Sequence, residues 1–507
     1  GIRSRMTQIA RSGRWGALVL LAIVTCFLVQ VGFNPAIRCV QDEPWVSVPA
    51  YTLIMQGTLS LNPINADGKP AVWPPLLQLL LAGMYKVFGF GLVQGRSLMM
   101  LFGAVSIVFS YLLARELFDE STALISAAFL AVDNLFFLAA RTIRSEILIV
   151  MLILIGYYFC VRGVRTRRPI FFIFSGLAAA AAMSTHPNGF AGLVAIMLVF
   201  PFVYGAPFLR QRGIYFFVAG VLVGSLPYVL YVLLVDLPNG FSAFSSQILT
   251  FAPAVRRSNW LLDSIRNEWQ IRYQRFVLPP YRIHIGIILV AAIVASIVLP
   301  EKRRRCLAVG ILVHLVLFVF LMTLQKNVRY MVLIAPYASI IIASLLMEIY
   351  RRGAGSRWAV LQHRTMTARV RASVLVLGML LWGGTQFFGN IAYHVQYRKT
   401  DYNAFMSELQ ALIPEGAGIY SIITFWFGLY DHPFYSYNRV SFAAATSRYR
   451  PTIFLLDDTY MVNGEYGNHQ WDDLRSRLYD FVDRNGTLVG IVDNWFYGAI
   501  KVYKVKY

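Results

Sequence analysis

Long apolar runs recur along about three quarters of the chain, each near the ~20 residues a bilayer demands. They lie at roughly 15–33, 92–115, 121–139, 146–161, 170–185, 188–206, 213–235, 283–300, 306–323, 329–349 and 372–391, which predicts about eleven transmembrane helices. The pattern breaks twice. Between the first two runs comes a stretch from residue 34 to 91 that holds two shorter apolar segments. Leu76–Phe88 follows Pro74-Pro75 and contains Lys86; at about 13 residues it suits a helix lying in the membrane interface better than a span. Pro49–Gly57 reads as a second interfacial helix of the same loop. After about residue 392 the apolar runs shorten to strand length, and Asp, Asn, Gly and Tyr increase. Strands are predicted near 417–422, 452–457, 487–492 and 499–505, with helices at 401–412 and 471–484. That alternation predicts a small α/β domain, at about 115 residues large enough for its own core.

Composition agrees: 57% of the 507 residues are hydrophobic and 14% charged. The net charge of +21 raises nucleic acid as a partner, but its placement argues for a membrane instead. Basic residues cluster in short connections: Arg162 to Arg168, Arg210 with Arg212, Lys302 to Arg305, and Arg351 to Arg371. With the N-terminus cytoplasmic, every one of these falls inside, as the positive-inside rule requires. The assignment holds only if Leu76–Phe88 does not cross. The loops at 34–91 and 236–282 and the tail are then extracytoplasmic. The first run follows a basic stretch and shows no small-residue cleavage site, so it reads as a retained anchor. Four scattered cysteines show neither a pairing framework nor metal spacing.

The chemistry-bearing residues concentrate on the extracytoplasmic side. Asp42 and Glu43 stand together where the first span ends, and carboxylates at a membrane edge are costly unless solvated, paired or used. One reading makes Asp42 a general base with Glu43 positioning substrate or binding a cation; the other is a solvated pair beyond a helix end. Outward cations, among them Lys69, Arg141, Arg144, Arg275 and Arg329, run against the charge rule. A phosphate-bearing substrate would account for them, and so would anionic lipid headgroups. Arg144 and Glu146 in ARTIRSE can pair with each other or face a cavity under the first loop. His186 and His284 are lone histidines, for which a structural role outweighs metal binding. Asp133 sits inside a span beside Asn134 and receives no assignment.

These features together resemble the GT-C glycosyltransferases that use polyprenyl-phosphate sugars, in the aminoarabinose-transferase and protein O-mannosyltransferase branch. The likeness rests on DE after the first span, GKP…PPLLQLLLAGMYKVFG, GRSLMMLFGAVSIVFSYLLARELF, AARTIRSE, YQRF and VRYMVLIAPYASI, in that order. It implies an all-α polytopic membrane domain over residues 1–391 and a soluble extracytoplasmic α/β domain over 392–507. It further implies Asp42 as catalytic carboxylate with Glu43 beside it. Lys69, Arg275, Arg329 and Tyr330 would hold the donor phosphate, and Arg141, Arg144, Glu146 and His186 would line the cavity. The chain departs from the family at three places: Glu146 stands where Asp is usual, His186 where a lysine is usual, and Ile271-Arg272-Tyr273 where a histidine is common. The implied reaction moves a sugar from a polyprenyl-phosphate donor to a lipid, glycan or protein acceptor with inversion, at the outer face of a bacterial inner membrane. It requires no cofactor; Asp42 and Glu43 could ligate a divalent cation, though no ligand cluster demands one. The competing classes are a lipid-linked sugar flippase and a non-catalytic membrane assembly protein.

Overall fold

The computed structural model describes residues 2–40, 42–61, 74–237, 241, 259–274, 282–320, 328–352, 368–437, 440–457 and 470–507. A helix lies over each stretch expected to span. The first is α1 (Ile2–Gly32); α2 (Asp42–Gln56) and α3 (Leu76–Phe88) belong to the loop that follows it. The bundle continues with α4 (Leu92–Leu117), α5 (Glu120–Val132), α6 (Asn134–Ala140), α7 (Ser145–Thr166), α8 (Pro169–Met183), α9 (Gly189–Met197), α10 (Val199–Tyr204) and α11 (Arg212–Asp236). After a short helix α12 (Trp260–Asn267) come α13 (Ile283–Val298), α14 (Lys302–Phe320), and α15 (Ala335–Arg352), which follows a 3-10 turn, Val328–Ile334. The last long helix joins α16 (Ala368–Met379) to α17 (Thr385–Tyr397) through a π turn and ends past the boundary at 391 expected from sequence. Among the described residues six helices are long and apolar enough to cross a bilayer, or seven if α5 and α6 make one broken span.

That break has a local cause. Asp133 leaves the helical conformation and its carboxylate accepts the Phe136 N–H at 2.9 Å, capping α6. The two segments bend by 63° there. Asn134 donates to Asn390 at 2.7 Å and accepts from Arg282, so the polar residues of the break are hydrogen-bonded within the protein. Elsewhere small residues set the packing. A Cβ on Gly176 of α8 would lie 2.1 Å from the Phe217 carbonyl, and one on Gly220 of α11 2.4 Å from the Ile173 carbonyl. Only glycine lets these two backbones approach so closely.

The helix α3 has the expected bounds and, at 13 residues, is half the length of α4. Leu77, Leu81 and Tyr85 are buried, while Leu79, Leu80, Val87 and Phe88 are exposed. Apolar on both faces, it suits a surface position with one side against protein and one against lipid. Its partner α2 begins at Asp42, well before the expected Pro49. Pro44 falls in the first turn, where no intrahelical N–H is needed, and Pro49 is carried within the helix.

The last portion folds as α18 (Tyr402–Gln410), a five-stranded sheet and α19 (Gln470–Asn485). The strands are β1 (Ile419–Ser421), β2 (Phe434–Ser436), β3 (Ile453–Asp457), β4 (Gly486–Asn494) and β5 (Gly498–Val505), in the order β2-β1-β3-β5-β4. The first three are parallel; β5 joins β3 and β4 antiparallel. Four of the five were legible; β2, three residues long, carries too little pattern to be seen.

Candidate active site

The segment between α1 and α2 carries the site, and three independent ties hold it. The first is a buried ion pair. Glu43 is wholly buried and receives Arg96 at 2.6 and 2.8 Å. Its carboxylate also accepts the N–H groups of Val40 at 2.9 Å and Ile143 at 3.0 Å. Arg96 in turn donates to the carbonyls of Pro35, Ile37 and Arg38 at 2.7, 2.5 and 2.6 Å. Each charge is therefore surrounded by hydrogen-bond partners, which is what makes such a pair tolerable in a low-dielectric interior.

The second tie comes from the C-terminal α/β portion. Tyr497, between β4 and β5, is buried, and its hydroxyl receives the Cys39 N–H at 2.7 Å and donates to the Cys39 carbonyl at 2.8 Å. The Arg38 N–H donates to Thr400 O at 2.9 Å, and its guanidinium lies 4.1 Å from the Tyr397 ring and 4.8 Å from Phe496. The third tie is aromatic. Phe90, at the turn after α3, packs against Tyr51 and Tyr85 of the first loop and against Trp426, Phe427 and Tyr430 of the C-terminal portion, with ring centroids 4.8–5.4 Å apart. The C-terminal portion thus buttresses both helices of the first loop.

At the first residue of α2 these constraints deliver Asp42. Its side chain is about a third exposed, and its carboxylate pairs with Arg144 and lies 3.8 Å from Arg329. Arg144 simultaneously grips Glu146, with contacts of 2.6, 2.9 and 3.1 Å. Burial works against the Arg144 charge, but Glu146 and Asp42 outweigh it and hold the guanidinium well above its ordinary value. Tyr330 lies beneath, 6.0 Å from the Arg144 guanidinium and, ring to ring, 6.0 Å from His186. The His186 Nδ1 accepts the Asn188 N–H at 3.1 Å. Burial lowers the His186 pKa to about 4, so the ring is neutral near pH 7 despite Glu146 nearby.

The structure therefore brings Asp42, Arg144, Glu146, His186, Arg329 and Tyr330 together from four separate stretches of chain. Glu43, expected beside Asp42 in the site, points the other way into its pair with Arg96 and is cut off from solvent. Arg141, expected to line the cavity, does not: it is buried against the end of α1, donating to Phe33 O at 3.1 Å and Asn34 O at 2.9 Å. Burial lowers its pKa to about 10. Lys69 and Arg275 lie outside the described residues. Sequence reasoning missed Arg96, although a lone arginine inside an apolar run was signal enough. It also missed Tyr497, for which no local pattern exists. Among the described residues no group of three or more His, Cys, Asp or Glu side chains is placed to hold a metal ion.

Comparison with known proteins locates this architecture. Residues 72–231 match the family model for dolichyl-phosphate-mannose-protein mannosyltransferases. No curated protein sequence matches the chain. Among solved structures, ArnT from Cupriavidus metallidurans bound to undecaprenyl phosphate is similar with a TM-score of 0.62 at 15% identity, over 97% of this chain and 98% of that one. The apo oligosaccharyltransferase of Archaeoglobus fulgidus is similar with a TM-score of 0.56 at 13% identity, over 88% and 70%. The archaeal oligosaccharyltransferase AglB from Archaeoglobus fulgidus, in complex with an inhibitory peptide and a dolichol-phosphate, gives 0.52 at 12% identity, over 97% and 74%. At these identities the likeness is one of fold, and in the first structure it extends over nearly the whole chain, C-terminal sheet included.

Proposed function

We propose that this chain, which has the fold of the GT-C membrane glycosyltransferases, transfers a sugar from a polyprenyl-phosphate donor to an acceptor hydroxyl or other nucleophile. The observation that carries the reading is the Asp42 carboxylate, a third exposed, held between two arginines at the end of a loop braced on every side. Two relatives in fold support the donor class, one bound to undecaprenyl phosphate and one to dolichol-phosphate.

In this reading Asp42 takes the acceptor proton as the acceptor attacks the anomeric carbon, and the phosphate leaves from the opposite face. A single displacement inverts the anomeric centre, the same geometry that separates base and leaving group in inverting glycosidases. Phosphate is a good leaving group when its charge is matched, so the cations matter more than a general acid. Arg329, only 3.8 Å from Asp42, is close enough to span from base to donor phosphate. Lys69 and Arg275 would complete the phosphate grip. Arg144 plays a different part, because it bridges Asp42 to buried Glu146 and so fixes the base in place. Glu43 acts through the backbone, as the anchor of the loop. No step calls for a cofactor.

Arg162, Arg165, Arg303 and Arg351 contact Glu116, Leu117 and Asp119 at the end of α4 away from Arg96, which supports an extracytoplasmic site with those cations on the cytoplasmic side. The purified chain, supplied with a radiolabelled polyprenyl-phosphate sugar and a panel of lipid, glycan and peptide acceptors, should move label into one acceptor class. Label that crosses a bilayer without leaving its lipid would instead identify a flippase.

A further inference from the structure

A cavity opens at the end of the bundle away from Asp42. It lies between the last turns of α4 and α7, α10, and the first turn of α14, with a volume of about 1040 Å³. The helix α4 runs from Arg96, at the Asp42 end, to Glu116 here, so the two places are roughly 30 Å apart at 1.5 Å per residue. The volume reaches the upper limit of the ~300–1,000 Å³ typical of small-molecule sites.

The lining is chemically mixed. Its apolar part includes Leu112, Val161, Val199, Phe202 and Val203, with Val203 about half exposed. Its charged part is five cations against three carboxylates. Those carboxylates are engaged: Glu116 by Arg162 and by Arg165 at 2.7 Å, Glu120 by Arg115 at 3.1 Å, and Asp119 by Arg351 at 2.6 Å. The positive excess sits on Lys302 and Arg303, both exposed. Arg303 donates to the Leu117 carbonyl, and its approach to Glu301 is a loose 3.8 Å.

An exposed cation pair, apolar lining residues beside it and a position at a helix-bundle end match one class of occupant, an amphiphile with an anionic phosphate head. We infer that this cavity binds the phosphate headgroup of an anionic phospholipid from the leaflet opposite the Asp42 site, Lys302 and Arg303 holding the head and the α10 wall one acyl chain. A positive-inside surface alone would attract such lipids diffusely; the cavity adds a fixed seat for one molecule.

The test uses the full chain in detergent, stripped of lipid and followed by native mass spectrometry with added phosphatidylglycerol, phosphatidylcholine or inorganic phosphate. Phosphatidylglycerol should be retained at least tenfold more strongly than phosphatidylcholine, and inorganic phosphate at equal concentration should not displace it. Lys302→Glu with Arg303→Glu should weaken retention tenfold or more, and the milder Lys302→Gln with Arg303→Gln should weaken it several-fold if the reversal misfolds. Val203→Trp, which adds bulk to the apolar lining and keeps every charge, should also weaken it. Equal retention of the two lipids, displacement by inorganic phosphate, or unchanged binding by the charge variants would each overturn the assignment.

Discussion

The hydroxyl of Tyr497 holds the backbone of Cys39 at two points, 2.7 Å from its nitrogen and 2.8 Å from its oxygen, although the C-terminal α/β portion supplies one partner and the loop after α1 the other. Cys39 precedes Asp42 by three residues, so this contact sets the path of the chain into the site. Tyr497→Phe keeps the ring in its stack on Phe405 and removes only the hydroxyl. It leaves a buried N–H and C=O without that partner, at about 1–3 kcal/mol. If Tyr497 positions Asp42, kcat should fall by about tenfold or more while the donor KM stays near its starting value. A variant that melts earlier yet turns over normally would show that the contact serves stability alone.

The pair of Glu43 with Arg96 makes a sharper stability prediction. Removing one partner strands a buried charge, at about 3–5 kcal/mol, so Glu43→Gln should lower the melting temperature strongly. For many buried pairs an apolar replacement of both members restores stability. Here it should not. The carbonyls of Pro35, Ile37 and Arg38 and the N–H groups of Val40 and Ile143 depend on these two side chains. Thermal unfolding of Glu43→Leu with Arg96→Met should therefore show no recovery over the single variant, and full recovery would refute this account of the loop.

Much of this architecture could be read from periodicity, because spans, interfacial helix and strands are local properties of a chain. Leu76–Phe88 is the clearest case for bounds: the double proline marked its start and the helix runs over those residues. The partnerships were less legible. Arg144 could be matched with Glu146 two residues away, but its second partner, Asp42, comes from another loop and no spacing rule connects them. Glu43 reads in sequence as the twin of Asp42. At the start of a helix consecutive side chains diverge by about 100°, so one turns to the site and the other to Arg96. Arg141 misled for a related reason. A cation at a loop edge reads as a substrate contact, whereas backbone carbonyls at the end of α1 had first claim on it.

Asp42→Asn is the central substitution for the proposed reaction. The amide keeps size and one acceptor but cannot take a proton at neutral pH. A general base contributes typically 10²–10⁴-fold, and the transfer rate should drop by about that much. Arg144 keeps its grip on Glu146, so the fold should survive. Transfer at the parental rate by a monodisperse Asp42→Asn protein would remove Asp42 from the mechanism.

The two arginines on Asp42 should separate kinetically. Arg329, assigned to donor phosphate, should raise the donor KM when changed to Gln, by about 10- to 100-fold for one charge-assisted hydrogen bond. Arg144 anchors the base, so Arg144→Gln should lower kcat with a smaller change in KM. Arg144→Lys should rescue little, because a single ammonium cannot bridge Glu146 and Asp42 as the planar fork does. Initial-rate kinetics across donor concentrations decide the point, and an interchange of the two phenotypes would reverse the roles.

His186 gives a dependence on pH with a definite sign. Its folded pKa, lowered to about 4, lies below the ordinary 6.5, so the unfolded chain binds the extra proton between those values. Stability from the neutral, buried ring is complete above about pH 6.5 and is lost as pH falls toward 4, by about 3 kcal/mol over the interval. Other groups titrate in the same range, so the informative quantity is the difference between the parent and His186→Asn. That variant retains a polar side chain near the Asn188 N–H without a titrating proton. Thermal unfolding in detergent from pH 7 to 4 should show the parent losing stability faster than the variant, with the gap changing between pH 6.5 and 4. Parallel decline of the two proteins would mean that His186 is solvated in the folded state and does not sit neutral beneath Arg144.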